Sequence, residues 1–177
     1  MLASIWLRLS GESEWRLRSL ILRLAAQNGT VPFEPHLTLC GVPDLTRSIS
    51  DAVADYVGPR RPIFTLRCVG VSCSAATPFK AVVIDLENAP ALAAFRDDLR
   101  KIAGGGELEP PHVSLLYPID EQGRVLDWAS DEAHLRAVAN EAMTSIDANV
   151  LQLGRPVIVT TEGSWVKIRS WKTVRAL

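Results

Sequence analysis

Two of the three histidines in this chain stand in one repeated phrase, Pro35-His36-Leu37-Thr38-Leu39 and Pro111-His112-Val113-Ser114-Leu115. On a β-strand, residues i and i+2 project to the same face. His36 and Thr38 therefore point one way while Leu37 and Leu39 face a core, and the same holds for His112 and Ser114 against Val113 and Leu115. One copy lies in each half of the chain, as a duplicated fold would place them. Two imidazoles can act as general base and general acid, and two hydroxyls can hold an anionic oxygen. That set suits hydrolysis of a phosphodiester without a metal.

A single His-x-Thr on a strand is usually structural. The repetition, shared proline and shared alternation give the pair its weight. An unperturbed imidazole titrates near 6.5, so one neutral and one protonated copy can coexist near neutral pH. His112 is expected as the base, His36 as the acid, and Thr38 and Ser114 as donors to the non-bridging phosphate oxygens. His134 falls on a polar helix with no partner motif and reads as a surface residue. Gly104-Gly105-Gly106 ends a helix and lacks the Gly-Lys-Ser/Thr continuation of a phosphate loop. No metal-ligand cluster is apparent, and no cofactor is expected.

With their flanks, Phe33-Glu34-Pro35-His36-Leu37-Thr38-Leu39 and Pro111-His112-Val113-Ser114-Leu115-Leu116-Tyr117 resemble the two signatures of the two-histidine phosphoesterase superfamily. Ser4-Ile5-Trp6 and Ser170-Trp171-Lys172-Thr173-Val174 are similar to the terminal strands of its cyclic phosphodiesterase branch, from the tRNA-splicing pathway. The resemblance implies two pseudo-symmetric lobes flanking a central cleft, and Tyr117 lining that cleft. It also implies a small cyclic nucleotide or ADP-ribose 1″,2″-cyclic phosphate as substrate. Trp6 and Phe79 are candidates to stack on a base or ribose, with a core role as the alternative. Trp171 reads as core. The same superfamily holds RNA end-processing enzymes, opening terminal 2′,3′-cyclic phosphates or joining 2′–5′ ends. A non-catalytic nucleotide-binding module on the same fold is a further alternative.

Composition narrows these. The chain has 177 residues, 47% apolar and 22% charged, an ordinary globular balance for one two-lobed domain over 1–177. Lys plus Arg number 19 against 20 Asp plus Glu, a net charge of −1. Proteins that track long RNA commonly carry a basic surface, so a small nucleotide is the expected partner and long RNA is not. Cys40, Cys68 and Cys73 have neither C-x-x-C spacing nor nearby histidines and read as free thiols. With no signal peptide and no membrane span in the sequence, a cytoplasmic monomer is expected.

The elements that must position the motifs follow from periodicity. Strands are expected over Ala3 to Leu9, the two motif segments, Ile63 to Ser72, Phe79 to Glu87, Ala148 to Thr161 and Ser164 to Ala176. Helices are expected over Glu12 to Asn28, Thr46 to Val57, a segment capped by Asn88 with Leu92, Phe95, Leu99 and Ile102 buried, and Ser130 to Met143. Hairpin-like strand pairs among helices argue α+β with antiparallel sheets and helices on the outer faces.

Overall fold

The computed structural model describes residues 2–146, 150–160, 164 and 166–177. Its strands are β1 (Ala3–Leu9), β2 (His36–Val42), β3 (Phe64–Cys73), β4 (Val82–Leu86), β5 (His112–Leu116), β6 (Val150–Thr160) and β7 (Lys172–Ala176). Its helices are α1 (Gly11–Asn28), α2 (Arg47–Val57), α3 (Pro90–Ala103) and α4 (Glu132–Ser145). The α+β class is as expected, but the anticipated sheets are one continuous antiparallel sheet in the order β1-β2-β5-β4-β3-β6-β7, with β1 also paired to β6. Pairing therefore runs round a ring. The half holding β7, β6, β1 and β2 meets the half holding β3, β4 and β5 at two seams. At one, β6 pairs with β3 through Leu153–Phe64 to Val150–Arg67. At the other, β2 and β5 share the single pair Leu37–Val113.

The two motif strands have the same local ladder. Between β1 and β2 it runs Arg8–His36, Leu7–Leu37, Trp6–Thr38, then skips Leu39 and resumes at Ile5–Cys40. Between β4 and β5 it runs Asp85–His112, Ile84–Val113, Val83–Ser114, then skips Leu115 and resumes at Val82–Leu116. Each motif thus carries one extra residue directly after its hydroxyl, a β-bulge that bends the strand and re-aims its side chains. The duplication inferred from two short phrases is repeated here in backbone register. A bulge leaves backbone groups without ladder partners. In β2 the Leu39 carbonyl accepts from Nε of buried Arg96 on α3, at 3.1 Å.

Alternation sorts the rest. Ile5, Leu7, Leu9, Leu37, Leu39, Val113, Leu115 and Ile84 are buried in one core with Leu17, Ile21 and Leu24 of α1, Leu92 and Leu99 of α3, and Leu135 and Ala142 of α4. On the opposite face, Trp6, Val157 and Val159 form a smaller apolar cluster against which Trp171 packs. The cleft lies on that second face.

Several expected boundaries differ. Phe79 is not in a strand: Pro78–Lys80 is a 3-10 turn, opened by Thr77, whose hydroxyl accepts from the Phe79 N–H. Asn88 is not the cap of α3; Ala89 holds that position without a side-chain cap, and Pro90 fills the first turn. Ile102 is only half-buried. The last strand is confined to Lys172–Ala176, preceded by a 3-10 turn over Ile168–Ser170. The expected strand ends at Ala148 and Thr161 lie outside the described residues. His134 is no bare surface residue, since its Nε2 meets Asn28 Oδ1 at 2.8 Å and its ring packs on Trp128.

Gly105 shows how α3 is fitted to the first motif strand. A Cβ there would stand 2.6 Å from the Gly41 carbonyl oxygen, a backbone atom of β2. Gly105→Ala is expected to cost about 1–3 kcal/mol of stability, the usual scale of overpacking. Urea denaturation measures it, and an unchanged midpoint would mean that the α3 end is free to retreat from β2.

Candidate active site

The Leu37–Val113 pair sets the site. Carried one residue either way along an antiparallel register, it places His36 across from Ser114 and Thr38 across from His112. The register thus sets each histidine beside the hydroxyl residue of the other motif. His36, Thr38, His112 and Ser114 all line one cavity of about 310 Å³. Tyr117, Phe79, Trp6 and Trp171 line it too, so all the site candidates drawn from the sequence are brought together.

The same backbone contact orients both rings, and in each it comes from a residue that precedes a proline and is driven to extended backbone. Glu34 precedes Pro35, and its carbonyl lies 2.6 Å from His36 Nδ1. Pro110 precedes Pro111, and its carbonyl lies 2.9 Å from His112 Nδ1. A carbonyl only accepts, so in both rings Nδ1 carries the proton and Nε2 is the nitrogen left for chemistry.

The surroundings then separate the two histidines. His36 is 6% exposed. It stacks on Trp6 with centroids 3.6 Å apart and 10° between planes, and Phe33 and Trp171 meet it edge-on. Burial, opposed by the Glu34 carbonyl and assisted by the charges of His112 and Arg8, pulls its pKa down to about 4. His112 is only half-buried and has Asp85 across from it on β4, where His36 has Arg8 on β1. Arg8 is itself engaged, 2.9 Å from Glu34 and donating to Thr173 at 2.7 Å.

The hydroxyls differ as well. Ser114 is buried and donates to the Phe79 carbonyl at 3.1 Å, while among the described residues the Thr38 hydroxyl makes no hydrogen bond. Burial raises the pKa of Tyr117, keeping its phenol a proton donor; its hydrogen bond with Ser114 acts in the opposite direction. Phe33 stacks on Tyr117 at 3.9 Å, joining the approach to the first motif to the exit of the second. Trp6 was a candidate to stack on substrate, yet its face is taken by His36 and it is 4% exposed. Trp171, read as core, is half-buried at the cavity wall, edge-on to Trp6 and Tyr117.

Sequence reasoning missed Lys80 and Glu109. Both line the cavity and form an ion pair at 2.7 Å. Nothing in either local sequence signals it, because the pair exists only once β4 lies beside β5. The cysteines are free, and burial pushes the Cys40 thiol up to about 12, so it is inert. Among the described residues no cluster of three or more His, Cys, Asp or Glu is arranged for a metal, and no helix is long and apolar enough to cross a membrane.

Solved structures with this architecture include E. coli LigT complexed with 3′-AMP, similar over 100% of this chain and 98% of LigT, with 16% identity and a TM-score of 0.58. The chain has the fold of the two-histidine phosphoesterases. E. coli LigT complexed with phosphate matches over 99% of this chain and 94% of its own, with 17% identity and a TM-score of 0.56. A further crystal structure, of a phosphoesterase, covers 99% and 96% of the two chains at 16% identity, with a TM-score of 0.62. No protein-family model matches the chain, and no curated protein does.

Proposed function

We propose that this protein is a two-histidine phosphoesterase that hydrolyses small cyclic phosphodiesters. Nucleoside 2′,3′-cyclic phosphates would give 2′-phosphates, and ADP-ribose 1″,2″-cyclic phosphate would give ADP-ribose 1″-phosphate. The observation that carries this reading is the convergence of two imidazoles, each with Nδ1 tied to a backbone carbonyl, on one cavity holding both motif hydroxyls. The phosphate and 3′-AMP complexes of LigT, similar in fold, support a small nucleotide as ligand.

In this reading the buried, neutral His36 takes a proton from water at Nε2 as the water oxygen bonds to phosphorus. One ring P–O bond breaks, and the protonated His112 gives its Nε2 proton to the departing ribose oxygen. The products are one phosphate monoester and one free hydroxyl, and the two histidines exchange protonation states. This reverses the roles expected from sequence. The reason is the burial of His36, since a desolvated imidazole resists carrying charge. Thr38 donates to a non-bridging oxygen directly, and Ser114 does so once it releases the Phe79 carbonyl.

The test is turnover of the four nucleoside 2′,3′-cyclic phosphates, ADP-ribose cyclic phosphate and an oligonucleotide ending in a cyclic phosphate, with and without excess chelator. Hydrolysis of the small compounds, unaffected by chelator, is expected. Turnover of the oligonucleotide alone would move the protein to RNA ends, and activity lost on chelation and restored by a divalent ion would end the metal-free scheme.

A further inference from the structure

The proposed catalytic groups are two imidazoles and neutral hydroxyls, and the cavity they line holds a single ammonium among the described residues, Lys80. Lys80 faces the cavity's single carboxylate, Glu109, at 2.7 Å. A carboxylate is an odd tenant for an anion-binding cavity unless it stands in for something that Lys80 is there to hold. Resting on the hydrolase reading, we propose that Lys80 anchors a second phosphate on the substrate, one ribose away from the cyclic ester, and that Glu109 is the counter-ion this phosphate displaces.

Three observations support the exchange. The Lys80 side chain is 29% exposed and that of Glu109 is 59% exposed, so the carboxylate that leaves recovers its hydration. Pairs this open to water contribute little to stability, and a phosphate offers more charge and more acceptor oxygens than one carboxylate. Lys80 is also held in place relative to the reacting centre. Its turn is pinned from the Thr77 side, whose hydroxyl accepts from the Phe79 N–H, and by the edge-on contact of Phe79 with Tyr117. Phe79 and Tyr117 line the same cavity as these charges and the motif hydroxyls, giving a sugar or base an apolar wall. The favoured substrates are therefore cyclic phosphodiesters that carry a 5′-phosphate or pyrophosphate, in preference to bare cyclic nucleosides.

The experiment compares adenosine 2′,3′-cyclic phosphate with the same compound bearing a 5′-phosphate, reading the ratio of their kcat/KM values. The wild-type ratio should favour the 5′-phosphorylated compound by about tenfold, the scale of one charge-assisted contact less the pair it replaces. K80M should bring the ratio to near one, chiefly through KM of the phosphorylated compound. E109Q should keep the ratio at or above the wild-type value. Because each ratio is taken within one protein, losses of folded enzyme cancel. A wild-type ratio near one, or a ratio that K80M leaves intact, overturns the assignment while leaving the hydrolase reading standing. If the wild type turns over neither compound, both fall together.

Discussion

Alanine at His36 or at His112 is expected to lower kcat on a 2′,3′-cyclic nucleotide by about 10²–10⁴-fold, the usual worth of one positioned acid or base. The double replacement should fall little further, because both groups serve one proton-transfer scheme and removing either disables it. The two variants should nevertheless differ in rescue. His112 is half-buried at the cavity, so its removal opens a space that free imidazole can enter from solvent. His36 lines the same cavity but is buried against Trp6 with Phe33 and Trp171 around it, so the space its removal leaves is more confined. Added imidazole should restore more of the activity of H112A than of H36A. Equal rescue of both, or activity surviving the double change, would place the chemistry elsewhere.

The second large effect is on stability. Burial lowers the His36 pKa from its ordinary 6.5 to about 4. In the unfolded chain the imidazole takes a proton below about 6.5, whereas the folded protein refuses it until about 4. Within that window the unfolded state binds more protons, so stability falls as pH falls. The contribution is fully present above the unfolded value and is lost as pH drops through the folded one. About 3 kcal/mol should disappear between pH 7 and pH 4 on this account. Denaturant titrations of the wild type and of His36→Gln across that range measure it, with the wild type losing about that much more than the variant. Parallel curves would mean that His36 is hydrated and not held neutral by its stack. The same neutrality serves the proposed base, which stays unprotonated well below neutral pH.

Much of this was legible in the residues. Alternation alone assigned the histidines and hydroxyls to one face and Leu37, Leu39, Val113 and Leu115 to the other; the four apolar residues join the core and the four polar ones line the cavity. The α+β class came from the order of periodic segments. What stayed hidden depends on neighbours far away in the chain. The bulges after Thr38 and Ser114 arise from how two strands pair, and no single-strand pattern records a skipped partner. Phe79 looked like the start of a strand because apolar residues follow it, yet Thr77 and Pro78 close a turn there instead. Trp171 looked like core because aromatic residues usually are, and its place at the cavity wall depends on where β7 docks on β6. The expectation of His112 as base and His36 as acid had only two nearly identical phrases behind it, and the difference in burial between the two rings is not written in them.

The ring of pairings has a consequence for how copies of this chain behave toward each other. Among the described strands, β1 to β6 each have neighbours on both sides for at least part of their length, and β7 ends the sheet. A strand edge with unpaired backbone groups is a template for self-association, and the five residues of β7 present one along their whole length. Those five are Lys172-Thr173-Val174-Arg175-Ala176, short and twice charged, with Arg175 tethered to Asp51 of α2 at 2.6 Å. Replacing the two cations of β7 by apolar residues would thus turn a guarded margin into an adhesive one.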